Sequence, residues 1–486
     1  MILFSKIIEW LRKIFTRSMD EQGKGADKSL PIAVSSEMAN AIDRWRQEYM
    51  GNAPWLSDGG RSLGLPAQIV SEMATLVTLE AEISISGSDR ADWIASELTP
   101  VLDALHRIVE YSAALGGVVL KPSVHNNGIG VDVVFADDFY PVAFNSRNQI
   151  TSAVFVERKR VGQTVFSRVE HHSVTNNGYV IKNKAYRGRS DDDPGREIPL
   201  TDVPEWRDIK PETEINGLDF PLFAYFKMPF GNFVDPRSPL GVSVFARAEG
   251  EIEDADRQYQ RLLWEYRGGE LAIHASEDAF EMDLNGRAIL PRGKERLYVA
   301  TGFASTDGAG AREGIFSTYS PALRDASYIA GLNTILQKIE DQCCLARGTL
   351  CDKTSERTQV ATATEIKMQR QRTYATVTSI QKALEDAIRG LVQAVDAIAT
   401  LYGIGGPGGN VEVAFEWDDS VVSDTDTQRE RDRQDVRDGL MQKWEYRVKW
   451  YGETEEQARA ALKDDAPDDD TIMNFINEPN PDEGAE

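Results

Sequence analysis

The chain has 486 residues, of which 41% are hydrophobic and 9% aromatic, enough to bury a sizeable core in one long architecture or in about two to four domains. Its formal net charge is -24 and its pI about 4.8, which argues against a tight, sequence-independent grip on DNA over a broad face and suits a surface that repels phosphate. Three cysteines (Cys343, Cys344, Cys351) and five scattered histidines form neither a CxxC pair nor an HExxH motif, so no disulfide framework, metal site or cofactor is expected.

At the N-terminus Ile2, Leu3, Phe4, Ile7, Ile8, Trp10, Leu11, Ile14 and Phe15 alternate with Lys6, Arg12, Lys13 and Arg17, the pattern of an amphipathic basic helix. Its apolar residues are too interrupted to span a bilayer, and it lacks both the uninterrupted apolar run and the small-residue cleavage site of a signal peptide. The reading is a helix packed on its own protein or on a neighbouring subunit, not on a membrane. Residues 18–36 read as a polar linker. Residues 37–115 read as helical: Ala67, Val70, Ala74 and Val77 recur at helical spacing after Pro66, and a second helix runs from Asp89 to Leu115, closed by Gly116-Gly117.

From Val118 to about Ile209 the period changes to two. Val131, Val133 and Phe135, then Val154 and Val156, Val165 and Val169, Tyr179 and Ile181 alternate with polar residues, and Asn127-Gly128 and Asn177-Gly178 supply hairpin turns. This predicts one antiparallel meander. Residues 189–217, rich in Asp, Pro and Glu, read as an exposed loop.

Three long helices follow. The first opens at Ser238-Pro239, an N-cap followed by Pro at the first helical position. Phe245, Ala248, Ile252, Ala255, Tyr259, Leu262 and Tyr266 form its apolar seam, Gly268-Gly269 ends it, and it would be roughly 40 Å long. Its opposite face carries Glu249, Glu251, Glu253, Asp254 and Asp256. Residues 270–318 are short and strand-like. Ser320-Pro321 then repeats the start signal, and Leu323, Ala326, Ile329, Leu332, Leu336, Ile339 and Cys343 form a second seam, closed by Gly348. After a polar loop, Thr362 and Glu365 form a capping box for a third helix ending at Gly403, roughly 60 Å long. A strand (Val411, Val413, Phe415, Trp417) and two charged helices over 424–463 come next. The acidic, Pro-interrupted tail over 464–486 reads as disordered.

Seams of this 3,4 spacing are narrower than the core face of a globular helix, so each rod needs partners on more than one side. If the partner is the same rod in the next subunit, the contact is heterologous, and a closed rotation makes a ring. Coiled coils and bundles use the same seams and stay open at this point. One basic island stands out: Arg347, Lys353, Arg357, Lys367, Arg370 and Arg372 outnumber Asp352, Glu356 and Glu365. A few such cations could touch DNA phosphates in transit with weak, salt-dependent affinity, or could form inter-subunit ion pairs or a solvated helix face.

An enzyme is poorly served. There is no GxxxxGK[ST] loop to cradle a triphosphate, and Gly405 to Gly409 has no following Lys-Ser/Thr. No GxSxG elbow follows a strand. Asp191-Asp192-Asp193 and Asp468-Asp469-Asp470 lie in loop or tail composition and read as solvated charge runs. Asp418-Asp419, after a strand, is a weak cation candidate.

Several segments, taken in order, carry a resemblance. They are Asp138-Phe139-Tyr140-Pro141-Val142-Ala143-Phe144-Asn145; the strand Ile150 to Phe155; Arg168, Glu170 and His172; and Tyr179, Ile181, Asn183, Ala185 and Tyr186. Ser238-Pro239-Leu240-Gly241-Val242-Ser243 follows, then Asp256, Tyr259 and Glu265-Tyr266-Arg267, and the Thr-Ala-Thr-Glu box at 362–365. Over roughly residues 37–463 this order resembles the portal proteins of siphophages infecting Gram-positive bacteria.

The resemblance implies an α+β subunit of several parts behind the N-terminal helix and linker (1–36). These are a wing with antiparallel strands (37–237), a stem of two helices (238–269 and 320–347), a small clip between them (270–319) and a tunnel loop (348–360). A long helix with a wing strand (361–423), a helical crown (424–463) and the acidic tail (464–486) complete it. It implies a ring, typically a dodecamer, at one capsid vertex of the virion, assembled in the host cytoplasm, that passes double-stranded DNA during packaging and ejection. The partners implied are the terminase large subunit, the major capsid and scaffold proteins and a head–tail adaptor; no membrane partner is expected. On that layout the basic island straddles the tunnel loop, and Glu249, Glu253 and Asp256 would face the channel from the stem. The very acidic tail departs from the family pattern and leaves the crown's size open. A head-morphogenesis or tail-adaptor protein without a channel, and a nucleic-acid enzyme, are the rival classes.

Overall fold

The computed structural model describes residues 4, 6–12, 32–56, 60–79, 81–125, 128–190, 195–276, 280–282, 288–289, 297–301, 316–351, 363–417 and 425–464. The chain is α+β and divides into two units, Met1–Glu416 and Trp417–Glu486. Among the described residues no helix is long and apolar enough to cross a membrane.

The first unit begins with a helix at residues 6–12 (α1), packed on its own chain. Phe4, Ile7, Ile8, Trp10 and Leu11 are buried. Phe4 stacks on Tyr140 with ring centroids 5.0 Å apart, and its amide donates to Asp43 Oδ1 at 2.7 Å. Helix α2 (Ser36–Tyr49) is capped by Ser35, whose hydroxyl accepts from the Met38 amide at 3.2 Å. Helix α3 (Leu65–Thr78) follows, with Pro66 in its first turn.

Strand β1 (Ala81–Ser86) interrupts the region read as helical; exposed Glu82, Ser84 and Ser86 alternate there with Ile83 and Ile85, a short period-two signal flanked by longer helical ones. The helix expected from Asp89 to Leu115 is two, α4 (Asp89–Asp103) and α5 (Leu105–Leu115). The chain turns at Ala104, four residues past Pro100, which withdraws one amide donor from α4.

The expected meander is divided between two sheets. Strands β2 (Gly117–His125) and β3 (Gly128–Phe135) form a hairpin. Strands β4 (Phe139–Phe144), β5 (Ile150–Val161), β6 (Thr164–Thr175), β7 (Gly178–Gly188) and β8 (Arg196–Ile198) form the second sheet in that order, with β9 (Glu212–Asn216) also on β7. The turn at Ala136 to Asp138 re-aims the chain between the two. Strand β10 (Ala224–Lys227) then returns antiparallel to β2, a pairing across more than a hundred residues that periodicity does not reveal. Gly178 has φ 145°, and a Cβ there would lie 2.1 Å from the Ile215 carbonyl oxygen, so only glycine lets β9 approach β7.

Residues 189–217 are not simply an exposed loop. Between β8 and β9 two 3-10 turns, Leu200–Asp202 and Pro204–Trp206, bury Leu200, Val203 and Trp206 with Ile198 and Ala185. The Trp206 indole donates to Glu157 at 3.2 Å.

The first rod, α6, spans Glu249–Gly268 behind a 3-10 turn at Ala246–Ala248. It does not start at Ser238-Pro239. The Ser238 hydroxyl accepts from the Leu240 amide, two residues on, and closes a local turn. Leu240, Val242, Val244 and Phe245 are buried beyond it, with the Val244 amide donating to the Ala113 carbonyl at 3.0 Å. Packing against the end of α5 therefore outweighs the capping signal, and α6 is about 30 Å long.

Strands β11 (Ala272–Ser276), β12 (Glu281–Met282), β13 (Ala288–Ile289), β14 (Tyr298–Thr301) and β15 (Phe316–Tyr319) lie between the rods. β11 pairs parallel with β14 and antiparallel with β15, and β12 pairs with β13. The second rod, α7, spans Asp325–Gln342 and also starts later than its Ser-Pro signal. Helix α8 (Ala363–Tyr402) has 40 residues, and Gly403, at φ 66°, follows it. Val377, Ile380, Leu384, Ile388, Leu391, Val395 and Ile398 along it are buried, whereas Leu401 is exposed. Thr362, of the expected capping box, lies outside the described residues. Strand β16 (Glu412–Trp417) pairs with β1. The core lies among α2–α5, α8 and the two sheets, with Trp45, Tyr140, Phe226 and Phe245 among its largest fully buried side chains.

The second unit contains α9 (Thr425–Arg437), α10 (Lys443–Tyr451) and α11 (Glu455–Asp464), three helices where two were expected. The Trp450 indole donates to Asp432 at 2.8 Å, and Arg459 lies over Trp444 at 4.5 Å. The acidic tail beyond residue 464 lies outside the described residues.

Candidate functional site

Helices α6 and α7 form an antiparallel pair held at three heights. At the far end Arg324 donates to both Glu265 oxygens, at 3.0 and 2.7 Å, and its amide also meets that carboxylate at 3.3 Å. This clamp occupies the segment before Asp325 and explains the late start of α7. Midway, Gln258 Nε2 donates to the Tyr328 carbonyl at 3.3 Å. At the near end Lys338 meets Glu251 at 2.6 Å. The Arg324 hydrogen bonds hold the Glu265 carboxyl below its usual range. Burial raises Glu251, but the Lys338 and Gln342 donors outweigh it and leave that carboxyl below its usual range too.

Burial along the rods thins toward the far end. Ile252, Ala255 and Leu262 of α6, and Leu336, Ile339 and Cys343 near the end of α7, are buried. Towards the Glu265–Arg324 clamp, Trp264 is 68% exposed, and Tyr266, Leu271, Leu323 and Ile329 are each 40% exposed or more. A single chain thus leaves several apolar side chains exposed around the far end of the paired rods, although Leu262 there is buried.

The acidic residues expected on the open face of α6 have separate fates. Glu253 is half-buried and pairs with Arg257 one turn on. Glu249 accepts from the Trp45 indole and from Arg44, so it binds α2. Asp256 is 1% exposed and accepts from Trp55 Nε1 (2.9 Å), the Ser62 hydroxyl (3.2 Å) and the Leu63 amide (2.7 Å). A carboxylate so enclosed cannot face a channel. Asp256 is a structural anchor for Trp55, Ser62 and Leu63, and it leaves the set of channel-facing acids.

At the end of α7 the root of the following loop is built around one carboxylate. Glu340 is fully buried and accepts from the amides of Gly348 (3.1 Å), Leu350 (2.6 Å) and Cys351 (3.1 Å), with Cys351 Sγ at 3.5 Å. Burial first, then the Glu340 charge, raise the Cys351 thiol. Cys344, at φ 59°, turns the chain into this arrangement. Motif reading passed over Glu340, although a signal exists: an acid in the last turn of a helix opposes the helix dipole and calls for a local donor set.

The basic island is not gathered into one site among the described residues. Arg347 is exposed and bridges Asp341 at 3.1 Å. Arg372 is exposed on α8. Lys367 and Arg370 lie on the same helix, where only the backbone is described, and Lys353 and Arg357 lie outside the described residues, as do Asp191 to Asp193, Asp418-Asp419 and Asp468 to Asp470. Among the described residues no group of three or more His, Cys, Asp or Glu side chains could hold a metal ion.

No protein-family model matches the chain, and no curated protein matches it. Among solved structures it is similar, at 11% identity and a TM-score of 0.42, to a chain in the neck of a native GTA particle computed with C12 symmetry, covering 90% of this chain and 97% of that one. A chain in the neck of an empty GTA particle computed with C6 symmetry is similar at 11% identity and a TM-score of 0.40, with the same coverage.

Proposed function

We propose that this chain is a portal-type subunit of a tailed bacteriophage. Copies form a ring at one capsid vertex, catalyse no reaction of their own, and conduct double-stranded DNA during packaging and ejection. One observation carries the reading: an antiparallel pair of rods flanks a small strand module in the chain and leaves Trp264, Tyr266, Leu323 and Ile329 exposed toward its far end. Rods of this kind complete their burial by packing side by side with copies of themselves. The ordered segments that resemble portal proteins, from Asp138-Phe139-Tyr140 to the box at 362–365, agree with it. The -24 charge suits a conduit that phosphate must pass without sticking.

On this reading twelve copies form the ring, a terminase motor and capsid and scaffold proteins meet it during assembly, and a head–tail adaptor docks later. Arg347 and Arg372, with Lys353, Arg357, Lys367 and Arg370, are the cations proposed to touch DNA. Negative-stain images and native mass of the purified protein test the reading. Rings with a central hole wide enough for a duplex are expected; compact monomers or long fibres overturn it. Lys353→Ser with Arg357→Ser, assayed for DNA retention in filled heads, tests the cations, and unchanged retention removes them.

A further inference from the structure

Glu48, near the end of α2, is 1% exposed, and neither of its carboxyl oxygens has a hydrogen-bond partner. The charges acting on it from α6 are Glu249, Asp256 and Glu253. Each of these has its own donors: Trp45 and Arg44 for Glu249, Trp55, Ser62 and Leu63 for Asp256, and Arg257 for Glu253. On α2 itself the opposing cation is Arg44, already 3.2 Å from Glu249. On α5, which also packs on α2, Glu110 accepts from Tyr49 and lies 4.0 Å from His106. The ionisable side chain of α3 is the half-buried Glu72.

An ionised Glu48 would therefore be desolvated, without a donor, and repelled by three carboxylates. As the neutral acid it avoids the charge penalty and leaves α2 close against the first turns of α6, where the first rod begins. We propose that Glu48 is a proton-operated latch on the α2–α6 junction: the neutral acid lets the two helices close, and loss of its proton loosens them. The latch does not depend on the portal reading.

Burial, with Glu249 next, pushes the Glu48 carboxyl up to about 8 from 4.5. The closed state thus holds a proton that the open state releases. Closing is fully favoured below pH 4.5, weakens as pH rises toward 8, and changes no further above it. Hydrogen exchange of the full-length protein across pH 6 to 9, corrected for intrinsic rates, reads this in peptides covering 36–49 and 249–256. In the wild type the opening equilibrium should rise about tenfold per pH unit up to pH 8 and then level off, while Glu48→Gln should stay flat. An equal slope in Glu48→Gln, or none in the wild type, overturns the latch. Should Glu48→Gln fail to fold, the infrared band of a protonated carboxyl in the wild type decides. A band lost with a midpoint near pH 8 supports the latch, and its absence at pH 7 overturns it.

Discussion

Lys121 of β2 and Glu170 of β6 meet at 2.8 Å, and this ion pair ties the three-stranded sheet to the six-stranded one. Glu170 also accepts from His172 Nε2 at 2.8 Å and lies 3.4 Å from Arg168, while His172 Nδ1 shares a hydrogen bond with the Tyr179 hydroxyl at 2.7 Å. Burial raises the Glu170 carboxyl, but His172, Lys121 and Arg168 outweigh it and hold the group well below the ordinary carboxylate range. Its folded value is depressed, so its contribution is present above pH 4.5 and is lost as pH falls toward the folded value. Glu170→Gln should cost about 3–5 kcal/mol at neutral pH, because it leaves the buried Lys121 without its carboxylate and Arg168 with Glu157 alone. Thermal melts from pH 3 to 7 should show the wild-type and variant curves converging in acid. A neutral-pH cost under about 1 kcal/mol would show that the pair does not hold the sheets together.

The Glu340 arrangement predicts a local effect. Glu340→Ala removes the acceptor of three amides at the loop root and should cost about 2–4 kcal/mol, with Glu340→Gln losing about half of that because one oxygen remains. Urea unfolding gives the stability, and hydrogen exchange at 348–351 locates it. Protection in Glu340→Ala that stays at the wild-type level would mean the carboxylate does not organise this turn.

The exposed aromatic beside the clamp predicts a separation between folding and assembly. Trp264 is 68% exposed in the single chain, so Trp264→Ser should change monomer stability by less than about 0.5 kcal/mol. If copies pack into the proposed ring through this face, the concentration needed for assembly should rise at least tenfold, because a large aromatic at a packed contact commonly contributes about 2 kcal/mol or more. Native mass against concentration measures it. Rings that persist at wild-type concentrations would place Trp264 outside the contact.

Long-period features were the most legible in the sequence. The run of α8 to Gly403, the hairpin at Gly178 and the end of α5 at Gly116 follow from periodicity and from backbone that glycine alone makes easy. Rod starts were misread because Ser238 and Ser320 carry a valid local signal that tertiary contacts override, burial of Val242 to Phe245 in one case and the Arg324 clamp in the other. Charge was harder still. Glu253 and Asp256 stand three residues apart in one acidic run, yet the first is at the rod surface and the second is enclosed by Trp55 and Ser62. Those partners come from almost two hundred residues away, and no helical period encodes them.

That contrast gives the sharpest mutational comparison on the first rod. Asp256→Ala removes the acceptor for the Trp55 indole, the Ser62 hydroxyl and the Leu63 amide together, and should cost about 3–4 kcal/mol. Asp256→Asn keeps an acceptor but loses the charge, and should fall between it and the wild type. Glu253→Ala removes an ion pair at the rod surface and should stay within about 0.5 kcal/mol. Denaturant midpoints at one pH and ionic strength rank the three variants. If Asp256→Ala were as mild as Glu253→Ala, Trp55, Ser62 and Leu63 would not be held by α6, and the acidic run would behave as one solvated face.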